Sequence, residues 1–287
     1  MGREVGIATS NFAIQEVNTF DEFAGHSAAV LDGAKGADIV VLPELFTLEL
    51  FTCLPGWGER ELTDIGEIAQ YTEDYRRFFG DEAKARGQWL LAGSHLVREG
   101  GRLLNMAHLF GPQGQLFTHA KTHLFPVEHT LGIDEGDEMV AIDLPFARVA
   151  INICYEAEIP ECSTVVAQRG VEVMLCPSYT FTEHGFWRVR YCAQARAIEN
   201  QIYVVHSCTG GEKLGPLPGG WARGSILSPC DLPWNATGIV AECDPNVEGT
   251  VVGTVDLDAL YANREHGAAT TYNDRIRRAD AYRRWAS

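Results

Sequence analysis

Three polar residues follow directly on apolar runs that are typical of buried strands. They are Glu44, Lys121 and Cys154, and the runs that precede them are ADIVVLP, GQLFTHA and ARVAINI. Loops at strand ends carry much of the chemistry of α/β folds. A carboxylate, an ammonium group and a thiol provide a general base, a cation for a developing oxyanion and a nucleophile. Taken together, the three residue types predict acyl-transfer chemistry.

Each of the three also has a plainer interpretation. Glu44 follows a proline, and a carboxylate there is compatible with a helix cap. Lysines are mostly exposed, so Lys121 is compatible with a solvated loop charge. Cys154 is one of eight cysteines, several of which lie inside apolar runs and are expected to be buried thiols. The catalytic interpretation therefore depends on the three residues together with their flanking sequences.

Alternating strand and helix patterns surround these positions. Helical apolar spacing predicts helices over about residues 20–36, 65–86, 159–169 and 184–201. Short apolar or β-branched runs predict strands near residues 3–12, 37–44, 88–97, 103–112, 114–123, 139–145, 147–154, 171–178, 202–208, 220–229, 238–243 and 249–257. Many strands with helices between them predict a layered α/β fold. Because no low-complexity linker divides the chain, we predict one domain over residues 1–287.

Composition narrows the class of protein. The formal net charge is −16, with 23 basic and 39 acidic residues. Such a surface repels phosphate backbones and anionic lipid, so we expect neither nucleic acid nor a membrane as partner. No apolar run reaches the ~18 residues of a membrane span, and the first residues lack the pattern of a signal peptide. We therefore expect a cytoplasmic protein.

Longer stretches around the three residues resemble a known family. VVLPELF around Glu44, AKTHLF around Lys121 and NICYEAEIPE around Cys154 resemble the three signatures of the nitrilase superfamily, the carbon–nitrogen hydrolases. CPSYT, RVRYCAQARAIENQIYVV and GSILSP resemble its later strands and helix, so the resemblance runs over nearly the whole chain. The sequence is most similar to an amidase-like bacterial branch. The resemblance implies a single-domain, four-layer αββα sandwich that dimerises into an αββα–αββα body.

The resemblance also implies roles for particular residues. Glu44, Lys121 and Cys154 would form the Glu–Lys–Cys triad, with Cys154 as the nucleophile. A second glutamate often follows the lysine in this family, and Glu128 is the expected one, with Glu135 as the alternative. No metal and no organic cofactor is implied.

Further residues are expected around the triad. The backbone N–H of Tyr155 would join the lysine in stabilising an oxyanion, and Glu156 stands where the family often has aspartate. The aromatic and polar residues expected to line the substrate pocket are Trp57, Tyr179, Thr180, Phe181 and Trp187. A metal site at His119 and His123 is disfavoured, because a segment of strand and loop does not place residues four apart on one face.

The expected activity is hydrolysis of a small linear amide, an ω-amide or an N-carbamoyl compound through a cysteine thioester. Two alternatives stay open: a nitrilase that acts on a nitrile, and a catalytically idle member kept for binding or assembly. The motifs of serine hydrolases (G-x-S-x-G), dinucleotide-binding folds (G-x-G-x-x-G) and zinc proteases (H-E-x-x-H) are missing from the sequence.

Overall fold

Two six-stranded halves of one hydrogen-bonded network form the centre of the molecule. The computed structural model describes residues 2–285. Its strands are β1 (Glu4–Ala13), β2 (Ile39–Val41), β3 (Trp89–Glu99), β4 (Arg102–Phe110), β5 (Leu116–Ala120), β6 (Ala141–Asp143), β7 (Arg148–Ile151), β8 (Val173–Tyr179), β9 (Tyr203–Gly210), β10 (Ser225–Leu227), β11 (Ile239–Glu242) and β12 (Gly249–Asp256). The first half has the order β5-β4-β3-β2-β1-β12 and the second β6-β7-β8-β9-β10-β11. A short parallel pairing of residues 11–13 with residues 208–210 joins them.

Helices flank the strands and carry most of the connections. The α-helices are α1 (Phe20–Asp32), α2 (Thr72–Arg86), α3 (Pro126–Thr130), α4 (Pro160–Gln168), α5 (Glu183–Asn200), α6 (Leu257–His266), α7 (Thr271–Arg277) and α8 (Ala279–Trp285). Short 3-10 helices occupy Phe46–Cys53, Trp57–Glu59, Leu62–Tyr71 and Cys154–Glu158. Among residues 2–285, every helix is too short or too polar to cross a bilayer.

Alternation along the strands produces the layers. In β1 and β2, Ile7 and Val41 belong to one buried cluster with Ile151 and Leu175 of the second half. Their neighbours Ala8 and Val40 face the other way, into a cluster that also holds aromatic residues of α1 and α2. Because successive strand residues point to opposite faces, each half has one face on the other half and one face under helices. The layering is therefore helix, sheet, sheet, helix, as the resemblance implies.

The strand directions bring several loop starts to one end of the molecule. β1 runs parallel to β2 and β9, and β7 and β8 run parallel to β9. β5 is reached from β3 by two antiparallel steps, so it runs in the same direction as β2. The C-terminal ends of β2, β5, β7 and β8 therefore lie together, which is where ligands bind in open α/β sheets.

Most of the predicted elements are confirmed, and several differ in extent or were not predicted, among them α3. The helix predicted over residues 65–86 is a 3-10 helix at Leu62–Tyr71 followed by α2. The strand predicted over residues 220–229 shortens to Ser225–Leu227. The three helices after residue 256 were not predicted at all. The dimer and the one-domain organisation stay predictions.

Candidate active site

Cys154 is the first residue of a 3-10 helix that begins three residues after β7 ends. Its φ is 46°, in the left-handed region, where a residue with a Cβ is strained by about 1–2 kcal/mol. Glu156 holds this turn, since its carboxylate accepts the N–H of Ile153 at 2.6 Å. The thiol is buried, with its Sγ 3.9 Å from the carbonyl oxygen of Tyr179. The turn thus places the buried thiol near the C-terminal ends of β7 and β8.

Lys121 lies between two carboxylates in the interior. Its Nζ donates to Glu44 Oε1 at 2.7 Å and to Glu128 Oε2 at 2.6 Å. All three side chains are at most 7% exposed. Asn105 of β4 closes the arrangement, because its Nδ2 donates to Glu44 Oε1 and to Glu128 Oε1, both at 2.9 Å. Buried charges are tolerated when they are paired and hydrogen-bonded in this way.

Backbone amides fix the two carboxylates from the other side. The N–H of Tyr179, at the end of β8, donates to Glu44 Oε2 at 2.8 Å. The N–H of Phe125, which precedes α3, donates to Glu128 Oε2 at 2.8 Å. Hydrogen bonds to an ionised carboxylate are among the stronger ones in proteins. Glu44 is therefore held by contacts to both halves of the sheet network.

The electrostatics of this group are set by burial and mutual attraction. Burial alone would lower the pKa of Lys121, but the carboxylates of Glu128 and Glu44 outweigh it and raise the pKa. Burial raises the pKa of Glu44, with Glu128 acting in the same direction and Lys121 opposing both. The lysine is thus a permanent cation at neutral pH, and Glu44 is a carboxylate that accepts a proton more readily than an exposed one.

The thiol of Cys154 is not a preformed thiolate. Burial raises its pKa well above the usual value, and the charge of Glu44 adds to that effect. The ammonium of Lys121 lowers the thiol pKa, but it does not overcome burial. Nucleophilic attack from this site needs a base that takes the thiol proton.

Glu156 and its partners support the loop on which Lys121 lies. The Glu156 carboxylate contacts His119 Nε2 at 2.9 Å, and it accepts the N–H of Thr122 at 2.8 Å. These partners outweigh burial and lower the pKa of Glu156. His123 Nδ1 lies 3.0 Å from Thr122 Oγ1 and 3.5 Å from Cys162 Sγ. Residues 2–285 contain no group of three or more metal-ligating side chains placed for one ion.

A cavity of about 220 Å³ opens beside these groups. It is lined by Glu44, Leu45, Lys121, Phe125, Val127, Glu128, Cys154, Glu158, Tyr179, Thr180, Phe181, Thr182, Gly185, Arg188 and Val189. The structure therefore brings the thiol, the ammonium and both carboxylates to one space. Of the predicted pocket residues, Tyr179, Thr180 and Phe181 line this cavity.

Trp57 and Trp187 are not among the residues that line this cavity. Trp57 packs against the core cluster beneath α1 and α2. Trp187 donates to Glu183 and stacks on Tyr191, with ring centroids 5.4 Å apart. Residues three and four apart share a helix face, so Gly185, Arg188 and Val189 face the cavity and Trp187 does not.

Glu128 and Glu135, the two candidates for the second glutamate, lie in different surroundings. Glu128 is the second glutamate of the cluster, while Glu135 is exposed and uses its carbonyl oxygen to accept from Arg102. Tyr155 lies in the first turn of the helix that Cys154 begins, and its ring contacts Phe125, with ring centroids 5.8 Å apart.

Sequence reasoning missed several residues at the site, among them Asn105, Glu158 and Arg188. Asn105 lies inside an apolar strand pattern, where no local signal separates it from an ordinary buried asparagine. Glu158 lies in the same quoted segment as Cys154, but its sequence position does not show that it faces the cavity. Its orientation depends on the contact with Arg188 of α5.

The family model described as carbon–nitrogen hydrolase matches residues 7–265. A probable hydrolase of Bacillus subtilis, YhcX, is 36% identical over 279 residues, which cover 95% of this chain and 54% of the relative. The chain thus spans about half the length of that relative. The omega-amidase NIT2 of Danio rerio is 26% identical, with 86% of this chain and 85% of the relative covered.

Solved structures share the fold at lower identity. Nit3 of Saccharomyces cerevisiae, a member of branch 10 of the nitrilase superfamily, matches with a TM-score of 0.74 at 20% identity, covering 91% of this chain and 93% of Nit3. A variant amidase from Nesterenkonia sp. AN1 matches with a TM-score of 0.74 at 20% identity, covering 98% of this chain and 96% of the amidase. In that amidase the acetamide moiety of fluoroacetamide is covalently added at the active-site cysteine. These likenesses confirm the α/β fold implied by the sequence.

Proposed function

Because the chain belongs to the carbon–nitrogen hydrolase family, we propose that it hydrolyses a small linear amide through a thioester on Cys154. The class includes simple amides, ω-amides and N-carbamoyl compounds. The single observation that carries the proposal is the cavity in which the Cys154 thiol meets the buried cluster of Glu44, Lys121 and Glu128. Relatives named omega-amidase support amide hydrolysis as the reaction class.

Attack begins with a protonated thiol. The Sγ of Cys154 forms a bond to the amide carbonyl carbon while Glu44 takes the thiol proton, for which its raised pKa suits it. The carbonyl π pair moves to oxygen, and the tetrahedral intermediate carries a negative charge there. The ammonium of Lys121 and the N–H of Tyr155 are the proposed donors to this oxyanion. Losing one such donor typically costs about 10²–10³ in rate.

Collapse of the intermediate breaks the C–N bond. Glu44 returns its proton to the departing nitrogen, which leaves as ammonia or an amine, and an acyl thioester remains on Cys154. Glu44 then removes a proton from water as the water attacks the thioester carbonyl. The sulfur leaves and regains a proton from Glu44, and the carboxylic acid is released. Glu128 keeps the Lys121 ammonium in position throughout the reaction by accepting its hydrogen bond, at 2.6 Å.

An amide panel with matched cysteine variants tests the proposal. The wild type is expected to release ammonia and acid from at least one small amide, and Cys154→Ser is expected to abolish this turnover. Cys162→Ser is the control, because Cys162 is also buried and lies on the adjoining helix α4, yet does not line the cavity. Undiminished hydrolysis by the Cys154 variant would remove this residue from the mechanism. Turnover of nitriles alone would replace the amide with the nitrile as substrate.

The cytoplasmic location and the homodimer stay predictions beside this proposal. A small-molecule amide as the partner of this chain also stays a prediction.

A further inference from the structure

A second pair of charges lines the cavity beside the proposed reaction centre. Glu158 is the last residue of the 3-10 helix that Cys154 begins, and Arg188 lies on α5. Arg188 Nε donates to Glu158 Oε2 at 2.7 Å. The proposed reaction uses neither residue, although both line the cavity.

The two members of this pair are exposed to different extents. The Glu158 side chain is 12% exposed and the Arg188 side chain 49% exposed. The guanidinium of Arg188 lies over the ring of Phe125, 5.7 Å from its centroid. Within residues 2–285, the second carboxylate oxygen of Glu158 accepts no hydrogen bond. The carboxylate is therefore the inner charge, with an unused acceptor, and the guanidinium lies nearer to solvent.

The charges around the cavity do not balance. Glu44, Glu128 and Glu158 bring three carboxylates, against the two cations of Lys121 and Arg188. The remaining lining is largely apolar, and charges next to apolar walls interact more strongly than charges in water. The Glu44–Lys121–Glu128 cluster carries the excess negative charge, since its two carboxylates face one ammonium. The Glu158–Arg188 pair sums to zero, and within it the less exposed carboxylate keeps one oxygen free to accept from a ligand.

We propose that Glu158 selects substrates by charge, favouring amides whose far end carries an ammonium or guanidinium group over amides whose far end carries a carboxylate. The inference rests on the proposed function and names its substrate class. A cationic substrate group takes the free oxygen of Glu158 and displaces Arg188 toward solvent. A substrate carboxylate bound at the same place is repelled by the inner carboxylate of Glu158.

Three amides of matched chain length test the selection: 4-aminobutyramide as the cation, butyramide as the neutral reference and succinamate as the anion. The readout is the ratio of kcat/KM for the cation to that for the anion, measured on the full chain. We expect the wild-type ratio to exceed about 10, and Glu158→Gln to lower it by roughly tenfold or more, since each tenfold corresponds to about 1.4 kcal/mol of differential interaction. Arg188→Gln is expected to raise the ratio, because it frees the carboxylate.

Glu67→Gln is the matched control. Glu67 pairs with Arg60 at 2.8 Å outside the cavity, so its loss changes the net charge equally without touching the lining. We expect this variant to keep the wild-type ratio. Opposite shifts in Glu158→Gln and Arg188→Gln cannot come from a shared loss of packing.

The possible failures are distinguishable. A wild type that hydrolyses butyramide but prefers succinamate, or a Glu158→Gln variant with the wild-type ratio, would overturn the charge selection and leave the proposed function intact. A shift in Glu67→Gln as large as that in Glu158→Gln would also overturn it, since the whole-surface charge would then explain the preference. A wild type that hydrolyses no amide and carries no acyl group on Cys154 would overturn the proposed function and this inference with it.

Discussion

Replacement of Asn105 by leucine tests whether activity depends on the hydrogen bonds that position the buried carboxylates of Glu44 and Glu128. One amide nitrogen, Nδ2, donates to both Glu44 and Glu128 at 2.9 Å, and the side chain is fully buried. Leucine has a similar volume, so the change removes the two hydrogen bonds without opening a large cavity. Asn105 acts through the two carboxylates and is a positioning residue.

The expected magnitude comes from those two contacts. Hydrogen bonds to charged groups contribute about 1.5–3 kcal/mol each, so the two together contribute about 3–6 kcal/mol. Part of this loss appears in the free energy of unfolding and part in the transition state. If about half falls on the reaction, kcat/KM decreases by roughly 10–100-fold, at about 1.4 kcal/mol per factor of ten.

The pH profile separates this role from a general structural one. A hydrogen bond to a carboxylate favours its ionised form, so its removal raises the already raised pKa of Glu44. The acid limb of the kcat/KM profile is therefore expected to move to higher pH in Asn105→Leu.

Asn263→Leu is the matched control for that experiment. Asn263 is also buried and donates to a carboxylate, that of Asp231, at 2.8 Å and away from the cavity. It is expected to lower the urea midpoint but leave the acid limb in place. An unchanged acid limb in Asn105→Leu, or the same shift in both variants, would refute the reasoning.

Three further predictions concern other buried charges. Glu44→Gln is expected to lower kcat, measured by ammonia release, by about 10²–10⁴, the usual contribution of a general base. The variant is expected to remain folded and to unfold cooperatively in urea. Lys121→Met leaves two carboxylates buried without their cation, so it is expected to abolish turnover and to lower the free energy of unfolding by about 3–5 kcal/mol in urea titrations. Burial alone would lower the pKa of His26, but Glu248 and Glu49 outweigh it and raise the pKa from 6.5 to about 9. Because the pKa is raised in the folded state, protonated His26 makes its full contribution to the free energy of unfolding below pH 6.5. That contribution is lost as the pH rises through about 9. The wild type should therefore lose up to about 3 kcal/mol across that range, at about 1.4 kcal/mol per pH unit, and a His26→Gln variant that declines equally would contradict this.

The strands and the positions of Glu44, Lys121 and Cys154 at their ends were predictable because their signals are local. A short apolar run that stops at a polar residue indicates both a buried strand and a loop at its end, as at Glu44 and Cys154. The parallel directions of these strands then bring their ends together without further information. The second glutamate was predictable from the resemblance, and Glu128 fills that place against Lys121.

The remaining features depend on packing between distant segments. Asn105 and the Glu158–Arg188 pair reach the site only when β4 and α5 pack beside the loops of Glu44, Lys121 and Cys154. The protonated state of Cys154 depends on burial, which outweighs the nearby ammonium and is invisible in the sequence. Trp187 lies outside the cavity lining because of its position on the face of α5, which an aromatic residue near a pocket loop does not reveal.

Trapping the acyl group on Cys154 is the most direct test of the proposed thioester mechanism. The Glu44→Gln variant is incubated with an amide that the wild type hydrolyses, quenched in acid, digested and analysed by mass spectrometry. We expect the mass of the acyl group on the peptide that contains Cys154, because this variant is expected to form the thioester slowly and to hydrolyse it more slowly still. Hydrolysis by the wild type with no adduct on that peptide in the variant, or with equal labelling of Cys162, would contradict a thioester on Cys154.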